Sequence, residues 1–375
     1  MKRFLGMALA ATFLSPLAAH AETPVDKRKP KVEVVFVLDT TGSMTGLIDG
    51  AKRKIWSIAN AIADQNPDAE IRMGLVGYRD IGDEYVTKSF ELTTDIQGIY
   101  GKLLAFQADG GGDTPESVNE ALDAAVLRQG WTSASEQTKA NRIIFLVGDA
   151  PPHMDYKQDR KYPEIVRDAR QKGIIVNTVQ AGKMRETSKV WRKIADLGGG
   201  EYMAIPQDGG KVIVIETPYD DVILTIQSSL NETVLPYGKV ESQRVVKDKM
   251  ASYAAAPKSS AADMSKFVNA KGKGKEVVTG GGDLVADVNN GARLLAEVPT
   301  AELPDAMQKM TPAERETFIA EQARKREDLS RQLADKVKLR DNYVKEQEAA
   351  KTAATSAEAD SFDQAVSKTL RKQIK

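Results

Sequence analysis

The chain contains no cysteine among its 375 residues. That excludes disulfides, zinc–thiolate sites, iron–sulfur clusters and cysteine catalysis. Histidine is nearly as scarce, with two residues. Charge of either sign is not in excess: 53 Lys and Arg stand against 53 Asp and Glu, so nothing pulls the whole molecule towards nucleic acid or an anionic membrane. Beyond the N-terminus no apolar run approaches the length of a membrane span. Neither phosphate-binding spacing, GxxxxGK[ST] or GxGxxG, occurs. An HExxH pair and a nucleophile elbow are also absent. What is present is 41% apolar residues, enough for a sizeable core, and 28% charged residues. The charged share exceeds the usual quarter or so and suits long solvated helices. The length allows two ordinary domains, or one large domain with appendages.

The N-terminus reads as a targeting segment. Lys2 and Arg3 precede an apolar run from Phe4 to Leu14, then Ser15-Pro16 and Ala19-His20-Ala21. This is the pattern of a secretory signal peptide over 1–21, cleaved after Ala21. The run is short for a retained membrane anchor. Cleavage removes Lys2, Arg3 and His20, which keeps the charge near balance and leaves His153 as the one histidine. An exported protein is expected, in the periplasm or secreted.

Residues 22–30 form a charged lead-in. Residues 32–38 (VEVVFVL) are almost continuously apolar and β-branched, as a strand covered on both faces requires. Helical spacing follows from Ser43 to about Asp64. Further strands are expected at 70–78, 85–92, 142–148, 174–179 and 201–205, with helices at 95–106, 116–129, 162–172, 186–197 and 218–231. Strands alternating with helices over some 200 residues predict an α/β fold: a doubly wound, mostly parallel sheet flanked by helices. Ligands in such sheets sit at the C-terminal ends of the strands. Asp39 and Asp149 fall there.

A different character begins after residue 235. Residues 236–310 are expected to be a mixed extension of short strands or loops, in which Met264, Phe267 and Val268 could dock. Thr311-Pro312-Ala313-Glu314 is a strong helix start. The helix over 311–350 carries a thin apolar stripe suited to an exposed arm, a hairpin or a coiled coil. A linker spans 351–361, and a short basic helix spans 362–375.

The densest signal for chemistry is Asp39-Thr40-Thr41-Gly42-Ser43-Met44, directly after the first buried strand. Its Asp39 carboxylate and its Thr41 and Ser43 hydroxyls can converge on one small space, and hard divalent cations take oxygen ligands. Gly42 lets the backbone turn tightly. Taken alone, the turn fits helix capping by Thr41 or Ser43 equally well. Two further stretches favour an ion: DGGGDTPES at 109–117 and GDAPPH at 148–153, each an oxygen-bearing loop at the same sheet edge.

These motifs together resemble the von Willebrand factor type A (VWA) domain over about residues 31–235. Within it, DxTGSM, GYRD, GGGDTPE and GDAPPH look like the exported bacterial branch similar to the domains associated with alpha-kinases. The resemblance implies a divalent ion, Mg²⁺ first and Mn²⁺ or Ca²⁺ next. Its ligands would be Asp39, Thr41, Ser43, Thr114 and Asp149, the metal-ion-dependent adhesion site of that family. Thr41 stands where the family has Ser and keeps the hydroxyl. The implied role is metal-dependent recognition of a protein partner whose Asp or Glu completes the coordination.

Asp80, Asp113 and His153 are candidate ligand-contacting or supporting residues. His153 could act as a base on metal-bound water. The expected role is a loop histidine bonded to a neighbouring carboxylate or carbonyl, with Asp155 placed to orient it. Arg79-Asp80 is read as an ion pair bracing the loops. Two other functions remain: a metal-dependent, phosphatase-like hydrolase using the same ion, and a scaffold that self-associates through 311–350. No catalytic constellation is apparent, so a binding protein and not an enzyme is expected, with no nucleic-acid partner.

Overall fold

The computed structural model describes residues 29–133, 139–210, 214–271, 276–354 and 361–374, with backbone alone at 351–354. Residues 1–21, expected to be a signal peptide, most of the lead-in and most of the 351–361 linker lie outside the described residues. Six strands form one sheet: β1 (Lys31–Asp39), β2 (Glu70–Tyr78), β3 (Thr87–Thr93), β4 (Ala140–Gly148), β5 (Ile174–Ala181) and β6 (Gly199–Ile205). Their spatial order is β3-β2-β1-β4-β5-β6. Every neighbouring pair is parallel except β2–β3. The expected doubly wound, mostly parallel sheet is the observed one.

Strand β1 shows why its sequence is almost wholly apolar. Val32, Val34, Phe36 and Leu38 face one core cluster, with helices α1 (Thr45–Gln65) and α2 (Ile96–Ala105). Val35 and Val37 face the opposite cluster, with α3 (Val118–Leu127), α4 (Tyr162–Gln171) and α5 (Arg185–Gly198). Side chains alternate across a strand, so burial of both faces demands apolar residues along it; the exception, Glu33, is fully buried and is bonded by Arg72 and by the Thr132 N–H and hydroxyl. The strand order reverses between β1 and β4, and there the C-terminal strand ends open a crevice.

The chain after the sheet departs most from expectation. The Lys-, Ala- and Ser-rich segment forms α7 (Val240–Ala255) and α8 (Lys258–Lys271), after α6 (Asp220–Asn231). Met264, Phe267 and Val268 do dock, joining the core on the α1 side of the sheet. Short strands are not found among the described residues of 236–310. An isolated bridge joins Pro236 and Asp283, and α9 (Leu284–Asn289) follows. Gly280, Gly281 and Gly282 all take positive φ, which ends any extended run, and the Asp283 carboxylate then caps α9 at Val285 N.

Helix α10 (Pro312–Ala354) starts on the expected Thr311/Glu314 box, with Thr311 N donating to Glu314 Oε2 at 2.7 Å. Its middle is not a free arm. Leu329, Leu333 and Val337 pack with Ile223, Ile226 and Leu230 of α6. The stripe looks thin because two of its docking residues are arginines. Arg326, fully buried, donates to Asp283 at 2.5 and 3.0 Å and to Thr233 O at 2.6 Å. Arg340 donates to Asp220 at 2.8 Å and to Asp263 at 2.7 Å.

The last helix, α11 (Phe362–Gln373), belongs to the core of the sheet. Phe362, Val366 and Leu370 are buried in the cluster on the α1 side. Phe362 meets Phe36 edge-on, with ring centroids 6.3 Å apart. Asn177 of β5 and Gln373 exchange side-chain amide bonds at 2.9 and 2.7 Å.

Candidate metal centre at the strand ends

Asp39 is the last residue of β1 and is fully buried. Its Oδ1 accepts from Thr41 N at 2.9 Å and from Thr41 Oγ1 at 2.6 Å. Thr41 Oγ1 lies 3.3 Å from Ser43 Oγ. In this turn neither the Thr41 nor the Ser43 hydroxyl caps a helix. Residues 42–44 form a 3-10 turn with no side-chain cap bond, as does the start of α1, and the Thr41 hydroxyl turns to the carboxylate.

The other carboxylate oxygen, Asp39 Oδ2, is buried with no hydrogen-bond partner. Burial pushes the Asp39 carboxyl up from 3.8 to about 7, offset in part by the Thr41 bonds and reinforced by the charge of Asp149. Beside it, the Tyr78 hydroxyl is driven well above 10 by burial and then by the Asp39, Glu116 and Asp149 charges. Gly148 is required at the floor of this space. A Cβ there would lie 3.0 Å from Asp39 Oδ2 and would overlap the Tyr78 hydroxyl.

Asp149 follows β4 and is half-buried. Its Oδ2 accepts from Gln207 Nε2 at 2.6 Å, and the same amide reaches Ser43 O at 3.5 Å. Its backbone O accepts from Thr187 Oγ1 at 2.8 Å. The first and second loops are stitched together by backbone bonds, Gly42 N to Gly110 O at 3.2 Å and Asp109 N to Thr40 O at 3.1 Å. Gly110 and Gly111 take positive φ there, which residues with a Cβ resist. Arg79 braces these loops by donating to Thr40 O at 3.1 Å and Gln107 O at 2.8 Å. Its ion-pair partner is Glu84, at 3.8 Å. The expected Arg79–Asp80 pair is not what forms, because Asp80 turns to two hydroxyls instead.

Thr114 lies on the exposed crest of the second loop and makes no hydrogen bond to Asp39, Thr41, Ser43 or Asp149 among the described residues. The side chain this loop buries is Glu116, two residues on. It is 3% exposed, and its Oε2 has no hydrogen-bond partner. Burial first, then the charges of Asp39, Asp80, Asp83 and Asp149, lift it from 4.5 to about 9. Sequence reasoning passed over Glu116, because an acidic residue at a helix start normally serves the dipole in solvent. Tyr78, Gly148 and Gln207 were likewise unforeseen.

A second group of side chains converges next to the first. Asp80, Asp113 and His153 bring their ligand-capable atoms within 4.8 Å of one another. Such a cluster is able in principle to hold a metal ion. Asp80 Oδ1 accepts from Ser117 Oγ and Asp80 Oδ2 from Tyr156 Oη, both at 2.7 Å. The His153 ring stacks on Tyr156 at 4.0 Å between centroids, and its Nδ1 is 2.9 Å from Asp155 Oδ1. The carboxylate contact and the orienting role of Asp155 are as expected.

A fold of this kind, with oxygen-bearing loops gathered where a mostly parallel sheet reverses its order, defines a class of α/β modules whose sites lie at the strand ends. Residues 33–216 match the family model described as von Willebrand factor A domain, which indicates a VWA-type domain over this stretch. An ariadne-like RING finger protein of Acanthamoeba polyphaga mimivirus is 29% identical over 122 residues, 32% of this chain. The chain spans 11% of that relative's length. Among solved structures, proximal thread matrix protein 1 from the mussel byssus is 14% identical, covering 48% of this chain and 43% of its own, with a TM-score of 0.35. The SpRpn10 VWA domain is 12% identical, covering 50% of this chain and 100% of its own, with a TM-score of 0.36. No helix among the described residues is long and apolar enough to cross a membrane.

Proposed function

We propose that this is an exported bacterial protein, of the branch carrying the DxTGSM motif, that binds a divalent cation at the strand ends and uses it to recognise a protein partner. The observation that carries this reading is Asp39 Oδ2, a fully buried carboxylate oxygen with no hydrogen-bond partner. An uncompensated buried acceptor is costly. A cation opposite it would remove that cost. The residues fit the group: Asp39, Thr41, Ser43 and Asp149 offer hard oxygen donors only, as Mg²⁺ requires, and Thr114 is the proposed donor from the second loop. Mn²⁺ and Ca²⁺ are the other ions suited to such a set.

When bound, the ion supplies positive charge and an open coordination position for a partner's Asp or Glu carboxylate. The chain's own residues do the rest. Thr41 holds Asp39 Oδ1 so that Oδ2 faces the crevice. Gly148 keeps that space clear, and Arg79 fixes the loops that present it. The proposed role is recognition, with the open coordination position serving the partner's carboxylate. The periplasm is the proposed location.

A pull-down from envelope extract tests the whole reading. Partner retained in Mg²⁺, released by EDTA and lost with Asp39→Ala is the expected result. Retention that ignores EDTA and the substitution would sink it.

A further inference from the structure

We infer that Asp80, Asp113 and His153 form a second cation site, separate from the strand-end site, that takes a zinc-like first-row divalent ion through the His153 imidazole. The first observation is an atom. His153 is 6% exposed, and its Nε2 is buried with no hydrogen-bond partner. That nitrogen points between two carboxylates, 3.4 Å from Asp80 Oδ2 and 3.7 Å from Asp113 Oδ2. Asp155 Oδ1 lies 2.9 Å from Nδ1, and the tautomer with its proton on Nδ1 presents the Nε2 lone pair to the cluster. Asp80 Oδ2 accepts from Tyr156 Oη at 2.7 Å, whereas His153 Nε2 is left with no donor or acceptor of its own. A cation shared with the two carboxylates gives that nitrogen its partner.

Geometry and framing agree with this assignment. Ligand atoms about 2.0–2.1 Å from a tetrahedral ion stand roughly 3.3 Å from one another, close to the two separations seen. The carboxylate–imidazole contact is the usual support of a metal-bound histidine, fixing its tautomer and ring plane. Backbone bonds hold two of the three ligands in place. His153 N donates to Glu116 O at 3.1 Å, Glu116 N to Pro151 O at 2.9 Å and Ser117 N to Arg79 O at 3.1 Å. Asn119 Nδ2 adds a bond to His153 O at 2.7 Å. Ser117 and Tyr156 orient Asp80. Only Asp113, on the glycine-rich loop with its side chain 61% exposed, is left adjustable. It can close on an entering ion and leaves one face open to water or to a ligand. An imidazole among the donors selects for Zn²⁺ and its neighbours over Mg²⁺, whereas the Asp39 set contains oxygen alone.

The test is a ZnCl₂ titration of untagged, EDTA-stripped full chain, followed by calorimetry in excess Mg²⁺. The expected result is one Zn²⁺ per chain that Mg²⁺ does not displace. His153→Gln is expected to weaken it at least about 100-fold, and Asp113→Asn or Asp155→Asn about tenfold or more. Asp113→Asn sits on an exposed loop, so it keeps the test decisive if His153→Gln fails to fold by circular dichroism. Failure to bind Zn²⁺, or affinities of His153→Gln and Asp113→Asn within about threefold of the parent, would overturn the inference. So would loss of Zn²⁺ in Asp39→Ala with retention in His153→Gln, which would assign the ion to the strand ends.

Discussion

Gln207, on the loop after β6, donates its side-chain amide to Asp149 Oδ2 at 2.6 Å. The amide and an incoming cation want the same oxygen. Gln207→Ala is therefore expected to tighten Mg²⁺ binding about three- to tenfold, the scale of one hydrogen bond to a charged group at an exposed position. Calorimetry checks it, and weaker binding in the variant would show that Gln207 supports the site and does not compete with it.

Asp39→Asn separates charge from shape. Asn keeps an acceptor for Thr41 and removes a buried charge with an unpartnered oxygen. In EDTA near pH 8 the variant should melt at or above the parent temperature, because the parent must hold an ionised group in a dry site. It should also lose the thermal shift that Mg²⁺ gives the parent. A variant that melts well below the parent in EDTA would contradict the first expectation.

The ion-free protein should lose stability as pH rises. Asp39 and Glu116 are lifted from 3.8 to about 7 and from 4.5 to about 9 in the folded state. Between the ordinary and lifted values the folded chain holds protons that the unfolded chain has released, so the slope of unfolding free energy with pH is negative. This contribution is fully present below about pH 4, and is lost progressively up to about 7 for Asp39 and about 9 for Glu116. Saturating Mg²⁺ should flatten the loss above 7, since it binds the ionised form. Thermal melts across that range, with EDTA and with Mg²⁺, report it; a rising EDTA curve would contradict it.

Docking of α10 can be tested at Arg326. It is fully buried against Asp283, so Arg326→Ala leaves a buried carboxylate unpaired and should cost about 3–5 kcal/mol. Arg331 on the same helix is 70% exposed beside Asp328, and its alanine variant should change stability by no more than about 0.5 kcal/mol. Urea denaturation of both compares them directly, and equal effects would mean that α10 is free in solution.

What could be foreseen from sequence was set by local pattern. A strand such as β1 announces itself because both its faces are buried. The loop after it marks itself as a candidate site because Asp39, Thr41 and Ser43 alternate at the strand end. Glu116 and Gln207 were hidden because their importance is a matter of depth and distance, which a lone acidic or amide residue does not signal. Helix α10 misled for a related reason. Arg326 and Arg340 read as solvated charges, yet their partners Asp283, Asp220 and Asp263 come from distant segments that sequence alone does not bring together. Helix α11 carried a visible apolar face, and nothing local said that the face belonged to the sheet.

That last placement fixes an order of events in making the protein. Strands β1, β4, β5 and β6 leave the ribosome well before α11 does, yet Phe362, Val366 and Leu370 are part of what covers them. Until α11 emerges, one face of the sheet lacks part of its cover. A nascent chain of this protein therefore carries an apolar surface for the time needed to translate some 150 residues, during which it is exposed to aggregation. If the proposed export holds, that interval also keeps the chain threadable through a translocation channel, because it cannot finish folding during synthesis.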